Sequence, residues 1–317
     1  VDLVSFNLPQ ISRLELSTST GRRLNQPLPL GGFGISRYLL DATLASIARK
    51  KGVEVLENTR TTSINYDGKV FHTGTAAQVF VSRLACAGFG KRSNLDLNWE
   101  RPFVSKTRNP LNNYIGVKYH VRGDFRKDTV FLHLFDKGYV GLVKIESDLY
   151  NLCYLSGASN LKLADNSIEK MEDQVLSKNP AIRDLFSRIE KVDNRPVTIS
   201  QISFESKSSV ENNVLLFGDA AGMITPLCGN GMSMALHSSK LGSELIAEFL
   251  EGKMSQQQLE SIYSTSWQQR FAARMKTGRS MQRILSVPVL ASALVGLGSL
   301  SPFVIRQLIR RTHGRPF

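Results

Sequence analysis

Residues 214–241, VLLFGDAAGMITPLCGNGMSMALHSSKL, bring together residue types and spacing suited to holding a ligand. An apolar run, Val214–Phe217, ends in Gly218-Asp219-Ala220-Ala221-Gly222. The C-terminal end of a buried strand is where α/β sheets bind ligands, and a carboxylate there can accept hydrogen bonds from ligand hydroxyls. The small neighbours Ala220, Ala221 and Gly222 leave room for a ligand to approach the backbone. A Pro226-Leu227-Cys228-Gly229-Asn230-Gly231 turn then opens a helix near Met232. The free N–H groups and positive dipole end of that helix suit an anion or an electron-rich carbonyl. Spacing alone leaves a plainer reading equally open, a strand–turn–helix with a structural aspartate cap. Cys228 is the one weak catalytic candidate, and a small buried filler is the simpler account of it.

The string itself resembles the GDAA…P…G.G segment of the para-hydroxybenzoate hydroxylase and geranylgeranyl reductase superfamily of flavoproteins. The resemblance implies that Asp219 holds the ribityl chain of FAD. It also implies that Gly218, Ala220, Ala221, Pro226, Gly229, Asn230, Gly231 and Met232 line the flavin. A helix start facing the flavin stabilises the negative charge that appears on the ring when it is reduced. Residues 34–41, GISRYLLD, resemble the family's R-x-x-[FL]-D helix start, which places Arg37 toward FAD; a solvated first-turn arginine is the alternative. Residues 138–143, GYVGLV, resemble a strand of the family's substrate domain, where the glycines serve hairpin geometry. Residues 87–93, AGFGKRS, stand where many members have Gly-Ala-Asp-Gly-x-x-Ser, but Phe89 occupies the aspartate position. That departure counts against a hydroxylase-like NADPH cycle. The family's opening βαβ unit with GxGxxG has no counterpart here, so an upstream piece is expected.

Elements must position these residues. Alternation in ISRLELS, around Ile11–Ser17, predicts a half-buried strand, followed by a Pro/Gly-rich loop from Pro27 to Gly34. An amphipathic helix is expected from Ser36 to Lys51 and a short strand at Val53–Leu56. Asp67-Gly68 predicts a hairpin between Thr61–Tyr66 and Lys69–His72, with a buried strand at Val79–Ala87. Four strand-like runs between Tyr114 and Leu155, without intervening helices, imply an antiparallel sheet that Thr198–Phe204 extends. Helices are expected near Ser167–Ser177, Ala181–Ile189, Ser233–Leu250 and Ser255–Ile284. The fold class is therefore mixed α/β (α+β): a partial FAD-binding Rossmann-like domain, an inserted antiparallel substrate domain and a helical C-terminus. The expected boundaries are 1–100 and 206–255 for the FAD-binding parts, 101–205 for the substrate domain and 256–317 for the helical region.

Composition narrows the function classes. The three cysteines lie far apart without a CxxC pair, which fits a reducing cytoplasm, and the five histidines lack metal-ligand spacing. No structural or catalytic metal is expected. Net charge is +13, and its excess is concentrated: from Ser261 to Phe317 there are nine basic residues and no Asp or Glu. Without interleaved aromatics or a binding motif, that charge does not predict nucleic-acid binding. Between Arg283 and Arg306 lie 22 uncharged residues, broken by Pro288, Gly296, Gly298 and Pro302. Two short helices around a Gly-rich turn, packed on the protein body, are expected there. Peripheral membrane contact through flanking arginines and a true membrane span are the alternatives to that packing.

These readings predict an FAD-dependent oxidoreductase, cytoplasmic or membrane-associated, that moves hydride between flavin and a hydrophobic organic substrate, with NAD(P)H as candidate donor. The alternatives are a flavin monooxygenase hydroxylating an aromatic or polyketide, and a non-catalytic flavoprotein remnant.

Overall fold

The computed structural model describes residues 6–105, 113–193 and 195–313. Arg315, the last of the nine basic residues, and the Cys228 side chain lie outside the described residues. Strands β1 (Gln10–Ser17) and β2 (Arg23–Phe33) precede helix α1 (Arg37–Lys50). Strands β3 (Thr61–Tyr66), β4 (Phe71–Thr75), β5 (Val79–Ser82) and β6 (Cys86–Ala87) lead to the short helices α2 (Asn94–Asn98) and α3 (Pro102–Ser105). Strands β7 (Tyr114–Arg122), β8 (Thr129–Phe135), β9 (Gly138–Lys144) and β10 (Tyr150–Gly157) run into α4 (Ala158–Leu163), α5 (Ile168–Gln174) and α6 (Pro180–Ser187). Strands β11 (Glu190–Lys191), β12 (Val197–Ile202), β13 (Val210–Glu211) and β14 (Val214–Leu216) follow. Helices α7 (Gly231–Leu250), α8 (Gln256–Leu285), α9 (Pro288–Leu300) and α10 (Pro302–His313) complete the order.

Backbone packing divides the chain into two units. One combines Val1–Val55, Asn113–Gln201 and Arg283–Leu308; the other combines Leu56–Asn112, Ile202–Gln282 and Ile309–Phe317.

The first unit is built on one sheet, ordered β11-β7-β10-β9-β8-β1-β2, with β12 also paired to β7. Strands β7 to β10 pair antiparallel. Lys137, with φ of 56°, takes the β8–β9 turn, and a Cβ at Gly138 would collide with the Phe135 ring. That glycine serves the hairpin, as its place in GYVG suggests. The sheet is not purely antiparallel, however, because β1 runs parallel to β8, from Arg13↔Thr129 to Ser17↔His133. More than a hundred residues separate the two strands, so no hairpin fixes their relative direction.

The Pro27–Gly34 stretch is also not a free loop, since β2 runs through it to Phe33. The strand ends the sheet order, and proline is tolerated at an edge where its missing N–H forfeits no ladder bond. The pairing jumps from Ile11↔Gly32 to Arg13↔Pro27, so the intervening β2 residues bulge out, with Gly31 at φ of 58°.

Helices α5 and α6 carry Met171, Ile182 and Leu185 into a cluster with Val121, Leu142 and Leu152 of the sheet. Within this core, Tyr119 and Tyr154 donate hydroxyl hydrogen bonds to Glu172 Oε1 at 2.8 and 2.9 Å, and Lys191 Nζ meets Oε2 at 2.9 Å. Both carboxylate oxygens are thus partnered, the condition under which a buried charge is tolerated.

The second unit packs α7 and α8 around β14 and β6. Val214, Leu215 and Leu216 are wholly buried among Leu259, Tyr263, Trp267 and Phe271. The expected strand Val79–Ala87 is two strands in different sheets. β5 pairs only with β4, and its Val79 and Val81 are exposed; β6 pairs parallel with β14. Val53 and Leu56 are exposed and form no strand, and no strand among the described residues pairs with them.

At the C-terminus, two helices form after α8, but Gly296 and Gly298 lie inside α9 and the break falls at Ser301. A Cβ on Gly298 would lie 2.6 Å from Ile305 Cγ1, so that glycine permits close packing instead of a turn. Pro288 opens α9 at its first turn, where the missing N–H costs nothing. Among the described residues no single helix is long and apolar enough to cross a membrane.

Candidate functional site

Strands β14 and β6 run side by side, Leu215↔Cys86 and Leu216↔Ala87, and the Phe217 N–H extends the pairing by donating to Ala87 O at 3.0 Å. Because the strands are parallel, the turns that follow them emerge at the same edge. One is Gly218–Ala220, a single 3-10 turn; the other is the 88–93 segment, GFGKRS. Gly218 adopts φ of 57° and its N–H donates to Ser238 Oγ at 3.1 Å. A Cβ there would stand 3.0 Å from that of Ala235, so the turn lies directly on α7.

The small residues after Asp219 have a structural use. Ala220 and Ala221 are fully buried. A Cβ on Gly222 would meet Trp267 Cη2 at 2.7 Å and Met275 Sδ at 2.9 Å. The room that Gly222 leaves is filled by α8. Asp219 itself is half-buried at the turn.

The second predicted segment stays open. Pro226–Cys228 form another 3-10 turn, closed by Gly229 in the left-handed conformation at φ of 63°. Asn230 is the N-cap of α7 but caps no helix N–H with its side chain. Its Nδ2 instead donates to Thr312 O at 3.0 Å. A Cβ at Gly229 or Gly231 would meet nothing within 4 Å, and Met232 is exposed. The N-cap side chain of this 20-residue helix is thus turned away from the first-turn N–H groups, beside a bare glycine backbone. This geometry fits a phosphate or an anionic ring carbonyl.

Gly218, Asp219, Ala220, Ala221, Pro226, Gly229, Asn230, Gly231 and Met232 thus share one unit. Arg37 lies in the other unit as the first residue of α1, largely exposed. Its Nε and Nη2 donate to the Asp41 carboxylate at 2.9 to 3.2 Å.

Two cations that sequence reasoning missed brace the turns from behind. Arg101 is buried, and its Nη1 donates to Asp96 Oδ1 at 2.8 Å and to Ala220 O at 3.0 Å. Its Nη2 reaches Ser208 O at 3.1 Å, and Nε stands 3.4 Å from Glu211 Oε2. Lys207 Nζ donates to Lys91 O and Asp219 O, both at 2.9 Å, and so ties the two turns together. Burial pushes the Lys207 ammonium down to about 8, with Arg101 adding repulsion while Asp96 and Asp219 oppose the shift. The Phe103 ring lies beneath both cations, 5.1 Å from Arg101 Cζ and 4.5 Å from Lys207 Nζ.

The serine that ends the 88–93 match caps α2. Ser93 Oγ accepts from Leu95 N–H at 3.2 Å, and Asp96 Oδ2 accepts from Ser93 N–H at 2.8 Å. This capping box holds Asp96 where Arg101 needs it. Ser93-x-x-Asp96 was therefore a readable signal. Phe89 packs on Trp99 with ring centroids 6.3 Å apart.

No family model matches the chain. It is 25% identical over 280 residues to conditioned medium factor receptor 1 of Dictyostelium discoideum, covering 83% of this chain and 53% of that protein. It is 22% identical over 249 residues to digeranylgeranylglycerophospholipid reductase of Methanococcus vannielii, covering 75% and 61%. Squalene monooxygenase of Rattus norvegicus is 26% identical over 215 residues, covering 65% and 35%. The chain thus spans little more than half the length of the first two relatives.

Among solved structures, a flavin-dependent brominase superposes with a TM-score of 0.75 at 15% identity, covering 98% of this chain and 78% of that one. A geranylgeranyl bacteriochlorophyll reductase-like protein from Thermoplasma acidophilum gives 0.70 at 15% identity, covering 95% and 83%. The strand–turn–helix at Val214–Leu250 and the large sheet with helices on it are thus parts of a shared architecture, and the chain has the fold of these solved structures.

Proposed function

We propose that this chain is the FAD-holding part of a flavin-dependent oxidoreductase that transfers hydride between flavin and a hydrophobic organic substrate. The carrying observation is the glycine-bare start of α7, which the Asn230 side chain does not cap, beside the braced Gly218–Ala220 turn. In this reading Asp219 accepts hydrogen bonds from the ribityl hydroxyls. The N–H groups of Gly231 and Met232 face the anionic side of the cofactor. Bound FAD supplies the electron chemistry; the protein supplies orientation and electrostatics. The relative named digeranylgeranylglycerophospholipid reductase supports a lipid-like substrate and a reductive direction. Phe89, packed on Trp99, supports the same direction, since the carboxylate linked to hydroxylase-type NADPH handling has no counterpart there. NAD(P)H is the proposed electron donor.

The purified protein, supplied with FAD, is expected to show a flavin absorption spectrum. Asp219→Ala is expected to weaken FAD retention at least about tenfold, the loss of a hydrogen-bonded charged acceptor. Equal retention by the variant, read by fluorescence titration, would remove Asp219 from the site. A second reading, flavin monooxygenation, is favoured by the relation to squalene monooxygenase. Substrate-dependent oxygen consumption with NAD(P)H separates it from reduction.

A further inference from the structure

Helix α9 is apolar on both of its faces. Its inner face buries Ala291, Val295 and Gly298. It is pinned to the β1–β2 turn, where Thr20 Oγ1 meets Ser292 Oγ at 2.9 Å and Arg22 Nη1 donates to Ser292 O at 3.1 Å. The outer face carries the larger side chains, with Val289 77%, Leu290 49% and Leu297 59% exposed. Val287 before the helix and Phe303 after it are exposed too. This is the reverse of an ordinary surface helix, which turns its large apolar residues inward and polar ones outward.

Cations adjoin α9, in space or along the chain. Arg283 and Arg306 bound the uncharged run, and Arg22 lies against the middle of α9 at Gly296; all three are exposed. Beyond Glu260 the chain has no Asp or Glu.

We propose that the outer face of α9, with Arg22, Arg283 and Arg306, docks on an anionic lipid bilayer. The apolar side chains enter the headgroup–acyl boundary and the guanidiniums pair with lipid phosphates. Charge decides between this occupant and a second copy of the chain. A two-fold contact lays the same patch on itself. It would bring like-charged arginines together in a segment that offers no carboxylate. A bilayer supplies the missing negative charge.

Co-sedimentation of the purified full chain with two vesicle types tests the proposal: phosphatidylcholine alone, and phosphatidylcholine containing phosphatidylglycerol. Binding is expected to the anionic vesicles and to weaken with salt. The double variant Val289→Asp, Leu290→Asp is expected to lose at least about tenfold in partitioning. Arg283→Gln with Arg306→Gln is expected to lose about tenfold and most of the salt dependence. Far-UV circular dichroism confirms that each variant is folded, and both sites are exposed. Failure to sediment with either vesicle, or undiminished binding by the aspartate variant, overturns the proposal. Equal binding of the parent to both vesicle types also overturns it. So does a dimer in light scattering that the aspartate variant dissolves without any vesicle binding, which would assign the face to a second copy.

Discussion

Lys207 is the residue whose chemistry is most open to measurement. Its ammonium holds the carbonyls of Lys91 and Asp219, and burial lowers its pKa from 10.5 to about 8. The folded state therefore releases this proton first. Between about pH 8 and 10.5 the unfolded chain binds more protons, so folding stability rises with pH across that window. The positive charge beneath the turn is lost over the same range. FAD affinity is accordingly expected to fall as pH rises through about 8. Lys207→Met is expected to bind FAD weakly at every pH and to show no such step. Fluorescence titrations of both proteins across this range check it, and a step that survives in Lys207→Met removes the lysine from the cofactor's electrostatics.

At the scale of elements, the turns work because helices come up tightly behind them. Gly222 shows this most clearly: Trp267 and Met275 of α8 occupy the space a side chain would need. Gly222→Val is expected to cost about 1–3 kcal/mol by overpacking, read as a lowered midpoint in thermal unfolding. FAD retention is expected to fall with it, because the displaced segment carries Asp219. A variant as stable as the parent would mean that α8 yields freely at this point.

Much of this layer was legible. The strand Val214–Leu216, the turn after it and the helix from Gly231 follow from apolar runs and glycines that stand next to one another in the chain. What was hidden depends on distant partners. Gly222 reads as room for a ligand until α8 is placed against it. The edge position of β2, which lets Pro27 and Pro29 sit in a strand, comes from the sheet order and not from the local residues. Arg101 and Lys207 were invisible for a related reason: most of their partners are backbone carbonyls, and a sequence carries no mark of which carbonyls are left for side chains.

For the whole molecule, the first unit contains a built-in acid limit. His133 is buried beside Ser17, with 2.9 Å between Nδ1 and Ser17 Oγ. Asn179 Nδ2 donates to that same oxygen at 3.0 Å, which fixes the serine beside the ring. Burial, with Arg23 nearby, pushes the imidazole down to about 4, against an ordinary 6.5, while Asp184 opposes the shift. Below pH 6.5 the unfolded chain takes up a proton that the folded one refuses until about 4. Stability is expected to fall by about 3 kcal/mol across that interval and to level off below it. His133→Gln is expected to flatten the slope in urea unfolding measured at successive pH values, and an unchanged slope would place the titrating group elsewhere.

The two units are interleaved along the chain, which changes unit at Val55, Asn112, Gln201, Gln282 and Leu308. No single cut separates them, so neither can be moved into another protein as a cassette. A recombination crossover at any one of these points exchanges parts of both. Variation in this molecule is therefore expected to be inherited as point changes within a fixed scaffold, rather than as the shuffling of whole modules.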